Sequence, residues 1–124
     1  MKGLLIIAHG SRMQSSNEEV VILAERIRTR SQLNVDEVTV AYLEMAEPSI
    51  AQAMHASFAR GVTTLDILPY FLCAGRHVIT DVPEEVANAH KSHPEVTVNI
   101  LPYIGASEGI IPLIEKTHID AQTT

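Results

Sequence analysis

An α/β architecture with a four-stranded parallel sheet follows from three observations. Apolar runs and segments with apolar residues at helical spacing alternate four times along the 124 residues. The first run, Lys2 to Ala8, is nearly continuous rather than alternating, as expected of a parallel strand covered on both faces. Glycine, proline and small polar residues fall between the periodic segments, where turns are needed. Strict β-α alternation implies a parallel sheet with helices on both faces and right-handed crossovers.

Each element has its own signal. After Lys2 to Ala8, the segment Ser16 to Arg30 carries Val20, Leu23, Ala24 and Ile27 on one helical face. Val38 to Leu43 is rich in β-branched residues and predicts the second strand. Glu47-Pro48-Ser49 then opens a helix with Ile50, Ala53, Met54 and Phe58 on its apolar side and Gly61 at its end. Val62 to Tyr70 is the third strand, and Asp81-Val82-Pro83-Glu84-Glu85 opens or continues a helix running towards His90. Val96 to Leu101 is the fourth strand, Gly105 to about Thr117 the last helix, and Ala121 to Thr124 a frayed tail. Without a long linker or low-complexity stretch, residues 1–124 are expected to form one domain.

Composition narrows the function. Nine Lys and Arg against fifteen Asp and Glu give a formal charge of −6, a field that repels nucleic acid. No segment is long and apolar enough to span a bilayer, and Met1 leads straight into a strand, so no membrane association and a cytoplasmic location are expected. The single cysteine, Cys73, excludes an intrachain disulfide and a cysteine-rich metal site.

His9 ends the first apolar strand at a glycine-containing turn, and the third strand leads through Leu72-Cys73-Ala74-Gly75-Arg76 to His77. In the flavodoxin-like strand order 2-1-3-4 these strands are neighbours about 4.8 Å apart, and ligands bind at the switch point where their crossovers diverge. His9 and the loop leading to His77 then face one crevice, with Glu44 beside His9 from the second strand. Groups so placed can share one ion or one flat ligand.

Three blocks of residues resemble a known family. They are Ala8-His9-Gly10-Ser11-Arg12; Tyr42-Leu43-Glu44 with Glu47-Pro48-Ser49-Ile50; and Pro69-Tyr70-Phe71-Leu72-Cys73-Ala74-Gly75-Arg76-His77-Val78 followed by Asp81-Val82-Pro83. Over most of its length the chain is similar to the short, single-domain class II chelatases of the CbiX family, sirohydrochlorin cobaltochelatases equivalent to one half of longer chelatases. The resemblance implies that His9 and His77 bind the metal, that His9 also accepts a proton, and that Phe71, Leu72, Cys73, Ala74, Gly75 and Arg76 lie along the tetrapyrrole. It implies a homodimer as well. A flat macrocycle needs cover on both faces, and Tyr70, Phe71, Leu72 and Tyr103 are apolar candidates for the interface or, alternatively, ordinary core.

The implied chemistry suits these residue types. Metal insertion strips water from the ion, holds it against one face of the ring and removes two pyrrole protons. Imidazole is a borderline ligand for Co²⁺, Fe²⁺ and Ni²⁺, and with an unperturbed pKa of about 6.5 it also accepts protons near neutrality. The metal is a substrate and no permanently bound cofactor is expected. Because the protein and the polycarboxylate sirohydrochlorin are both acidic, local donors must hold the substrate: Arg12, Arg76, Ser11 and helix N-termini. Either arginine could instead be a solvated surface charge, and Glu44 a metal ligand, a proton or substrate group, or a surface carboxylate. Gly75 is expected to supply a positive φ and a close backbone approach to the ring.

His90 and His93 are expected as a solvated surface pair, His55 on the exposed face of the second helix, His118 near the tail, and Cys73 as a small semi-buried side chain. The resemblance favours cobalt and cobalamin synthesis, with iron insertion for siroheme as the alternative. Two other classes remain: a phosphate-binding module at Gly10-Ser11, where a single glycine carries little signal, and a noncatalytic metal or tetrapyrrole carrier on the same fold.

Overall fold

A computed structural model describes residues 1–30 and 32–122, with the side chain of His77 outside the description. The elements are β1 (Lys2–Ala8), α1 (Gln14–Arg28), β2 (Glu37–Tyr42), α2 (Ile50–Ala59), β3 (Thr64–Pro69), a π-helical turn (His77–Asp81), α3 (Val82–His90), β4 (Thr97–Ile100), a 3₁₀ turn (Ile104–Ala106) and α4 (Ile110–Gln122). All strand pairs are parallel and the order is β2-β1-β3-β4, as the alternation predicts.

The continuous apolar run of β1 is explained by its central place. Leu5 and Ile7 face a core with Ile50, Met54 and Phe58 of α2 and Val82 and Val86 of α3. Ile6 faces the opposite side, where Ala24 of α1 meets Val38. Burying such aliphatic side chains stabilises the fold by about 1.5–3 kcal/mol each. Helices therefore cover both faces.

Local chemistry sets the boundaries. Ser49 caps α2: its Oγ accepts the Gln52 N–H at 3.2 Å while the Gln52 side chain accepts the Ser49 N–H at 2.8 Å, a reciprocal capping box. Gly61, at φ +100°, carries the chain out of the helix. Helix α1 begins two residues before the expected Ser16, because Ser11 Oγ accepts the Met13 N–H and completes the preceding turn.

The last helix departs most from expectation. It begins at Ile110 and runs to Gln122, so Ala121 is helical; Thr123 and Thr124 lie outside the described residues. The expected first turn is a 3₁₀ turn because Gly105 is pressed against the preceding loop: its N–H donates to Phe71 O at 2.9 Å, and a Cβ there would stand 1.8 Å from Leu72 O. No described helix is long and apolar enough to cross a membrane.

Candidate functional site

The backbone ladder between β1 and β2 continues past the strand ends. Leu43 N–H donates to Ala8 O at 2.9 Å and Glu44 N–H to His9 O at 3.1 Å. The two loops are thereby zipped together, and this places the Glu44 and His9 side chains side by side. Gly10, at φ +94°, makes the approach possible, since a Cβ there would lie 1.8 Å from Glu44 O.

His9 Nε2 stands 3.2 Å from Glu44 Oε1, with the two side chains 45% and 47% exposed. On the other edge of the ring, Nδ1 is 3.1 Å from Gly10 O. A carbonyl only accepts, so that contact calls for a proton on Nδ1 and leaves Nε2 to face the carboxylate. Two occupants of the gap satisfy both oxygens. One is a proton, giving an imidazolium that donates at both edges; the other is a cation shared by Nε2 and Oε1. Two ligands at about 2.05 Å on a tetrahedral ion lie roughly 3.3 Å apart, close to the spacing found. The pair is open to solvent and suited to exchanging its occupant.

Around this pair the predicted residues divide. Ser11 is tied into the turn: its N–H donates to Asn17 Oδ1 at 3.0 Å and its carbonyl accepts from Asn17 Nδ2 at 2.8 Å. Asn17 was not singled out from the sequence; it lies six residues beyond Ser11, in the first turn of α1, a spacing that matches no common local side-chain motif. The buried Tyr42 holds the other side, its hydroxyl donating to Asn17 O at 2.8 Å. Burial, then the Glu18 charge, pushes the Tyr42 phenol upward, so it stays a donor. Ser11, Arg12, Asn17 and Tyr42 line a hollow of about 400 Å³ whose walls do not include His9.

On the far side of Glu44, a second hollow of about 290 Å³ is lined by Leu43, Glu44, Asp81, Glu84 and Glu85. Burial, and then the neighbouring Asp81 charge, raises the Glu85 carboxyl above its usual range. Acidic walls of this kind attract cations. Among the described residues, no group of three His, Cys, Asp or Glu converges on one point. The backbone of His77 opens the π-helical turn, while its side chain, the second predicted ligand, lies outside the description.

The loop after β3 is open. Phe71 is half-buried and packs against the core, whereas Leu72, Cys73, Ala74, Gly75 and Arg76 are exposed. Arg12 is exposed as well, and neither arginine forms an ion pair among the described residues. Several expectations are corrected. Cys73 is exposed rather than semi-buried, because the loop stands away from the sheet. Gly75 does not have a positive φ, and nothing lies within 4 Å of where its Cβ would be. Of the interface candidates, Tyr70 and Leu72 are exposed, while Phe71 and Tyr103 are half-buried.

His90 and His93 do not form a solvated pair. His90 Nε2 donates to Val96 O at 2.6 Å, and the His93 ring packs on Phe58 with centroids 4.8 Å apart. His93 lies beyond the end of α3, so helical spacing did not apply to it. His55 is exposed on α2, as expected, and His118 lies on α4.

Fold and site together define a class: α/β proteins with a His–carboxylate pair, spaced for one cation, at the switch point of a 2-1-3-4 parallel sheet. The chain belongs to the CbiX family, whose model matches residues 3–121. It is 30% identical over 124 residues to a sirohydrochlorin ferrochelatase of Priestia megaterium, covering 97% of this chain and 46% of that protein. A sirohydrochlorin cobaltochelatase of Sulfolobus acidocaldarius is 27% identical, with 94% of this chain and 89% of that one covered. Among solved structures, a cobalamin (vitamin B12) biosynthesis CbiX protein of Marinobacter aquaeolei superposes with a TM-score of 0.83 at 27% identity, covering 99% of this chain and 98% of that one. The chain spans about half the length of several curated relatives it matches, including those of Priestia megaterium and Bacillus subtilis.

Proposed function

We propose that this chain inserts a divalent metal ion into sirohydrochlorin, with Co²⁺ as the physiological ion. The observation that carries this reading is the 3.2 Å separation of His9 Nε2 and Glu44 Oε1 beside an open loop. Insertion exchanges one dication for two ring protons, and this pair of atoms suits either occupant. In the proposed sequence, His9 and Glu44 hold the partly hydrated ion, with His77 as a further ligand. Transfer of the ion to the ring nitrogens frees Nε2, which accepts one pyrrole proton; the other leaves to Glu44 or water.

The segment Phe71 to Arg76 forms the platform for the macrocycle, and the open space at Gly75 lets a flat ligand approach the backbone. Arg12, Arg76 and Ser11 hold the carboxylate side chains, the two guanidiniums being the stronger donors. The relatives include both cobalt and iron enzymes. Similarity to the cobaltochelatases of Sulfolobus acidocaldarius and Methanocaldococcus jannaschii supports cobalt, and the ferrochelatase of Priestia megaterium keeps iron as the alternative.

An anaerobic absorbance assay with metal-free sirohydrochlorin and Co²⁺, Fe²⁺ or Ni²⁺ tests the reading. Catalysis gives many turnovers per chain, fastest with Co²⁺. Spectral change that stops at one equivalent identifies a carrier instead, and a rate equal to the protein-free control contradicts the proposal.

A further inference from the structure

His55 and His93 meet away from the His9–Glu44 pair. His9 follows the last residue of β1 and His93 precedes the first residue of β4, so in a parallel sheet they mark opposite ends, roughly 20 Å apart. His55 is exposed on α2, and its ring centroid lies 6.4 Å from that of His93 in the turn between α3 and β4. His93 is held firmly. Its ring packs on the buried Phe58 with centroids 4.8 Å apart, its N–H donates to His90 O at 3.0 Å and its carbonyl accepts from the Val96 N–H at 3.1 Å. Ser92 fixes the proton on the ring. The single hydroxyl hydrogen of Ser92 is donated to Ala89 O at 3.0 Å, so the 3.0 Å contact between Ser92 Oγ and His93 Nδ1 requires Nδ1–H to be the donor. In the neutral ring the lone pair then sits on Nε2, which makes no hydrogen bond among the described residues. An imidazole with one N–H engaged by an oxygen and the other nitrogen bare is the arrangement that metal-binding histidines adopt. His90 differs, because its Nε2 is already taken by Val96 O at 2.6 Å.

We propose that His55 and His93 Nε2 bind one divalent transition-metal ion at a second site, separate from the His9–Glu44 pair. Two imidazoles, with no third His, Cys, Asp or Glu converging on them among the described residues, select ions such as Co²⁺, Ni²⁺ and Zn²⁺ over Mg²⁺ and Ca²⁺, which take oxygen ligands. With metal–nitrogen distances of about 2.05 Å, two imidazoles on a tetrahedral ion have centroids about 5.2 Å apart, so the exposed His55 ring closes by about 1 Å while the packed His93 ring stays in place. The remaining positions go to water, and the ion exchanges readily. While bound, it ties α2 to the turn between α3 and β4.

The site does not depend on the proposed insertion chemistry, and metal alone tests it. Calorimetric titration of metal-free His9→Ala with Zn²⁺ separates the two ends of the sheet, because the first pair has then lost its imidazole. Zn²⁺ should bind, and the melting temperature should rise with its concentration. Adding His55→Ala, or His93→Phe, which keeps a ring on Phe58, should remove one bound equivalent and flatten the rise. Adding Ser92→Ala, which deprives Nδ1–H of its acceptor, should weaken binding at least about tenfold. Absence of Zn²⁺ binding by His9→Ala overturns the proposal. So does binding that His55→Ala or His93→Phe leaves at full strength, and undiminished binding in Ser92→Ala overturns the assignment to Nε2. No tetrapyrrole is present, so a chain that fails to insert metal can still bind Zn²⁺ here, and a chain that inserts metal but fails this titration loses the second site alone.

Discussion

The loops after β1 and β3 leave the same end of the sheet from neighbouring strands, and they are built in opposite ways. In the first, Glu44 N–H grips His9 O, Gly10 sits beneath Glu44 O, and Asn17 binds both backbone groups of Ser11. In the second, Gly105 anchors the root at Phe71, and Gly75 O accepts from Val78 and Ile79 at the far end, while Leu72 to Arg76 face solvent. On the proposed function the difference has a reason: a ligand pair must keep its spacing to a fraction of an ångström, which a rigid turn provides, whereas a platform for a broad flat molecule gains more from open space and adaptable side chains.

The two glycines expose the contrast most sharply. Gly10→Ala forces a Cβ into Glu44 O at a positive φ, and it should cost more than about 3 kcal/mol of stability and separate the His9–Glu44 pair. Chemical denaturation and metal titration measure the two effects; a fold of native stability would show that the first loop is not locked as described. Asn17→Ala leaves the Ser11 backbone without its partners and should cost about 1–2 kcal/mol, with a fall in insertion from a loosened turn.

Arg60→Ala probes the opposite end of the sheet and should leave both loops alone. The Arg60 guanidinium hydrogen-bonds both Glu37 carboxylate oxygens, at 2.7 and 2.9 Å, and holds that carboxyl below its ordinary value of 4.5 despite partial burial. Because the folded pKa is lowered, the stabilisation is fully present above about pH 4.5 and is lost as pH falls through the lowered value. The variant should be less stable by about 1 kcal/mol at pH 7, after allowance for solvent screening. The gap between the two proteins in urea unfolding should begin to close below pH 4.5 and vanish once pH has fallen through the lowered value, and a gap that persists undiminished in acid would contradict the assignment. Gly75→Ala should have the smallest effect on stability, under about 0.5 kcal/mol, because no atom lies within 4 Å of its Cβ position. Any loss in this variant should appear in substrate affinity.

The same contrast explains what could be read from the sequence. Strand order and the two cores were legible because β1 is apolar on both sides and α2 carries a full capping motif, features that depend on local period and chemistry. Glu44 beside His9 followed from that strand order. The fate of α4 was not legible: its pattern announces an apolar face, yet none of its described residues is buried. The roles of His90 and His93 depend on Val96 and Phe58, partners fixed by tertiary packing. Gly10 and Gly75 look alike in sequence, and only the neighbouring Glu44 backbone distinguishes the glycine that cannot be replaced.

The central claim is that His9 carries metal and proton in the same step, and the rate of Co²⁺ insertion by His9→Ala tests it most directly. The side chain is 45% exposed and fills no core position, so the melting temperature should stay near the native value. Insertion should fall at least about tenfold. A variant that melts like the native chain and inserts Co²⁺ at a near-native rate would contradict the account.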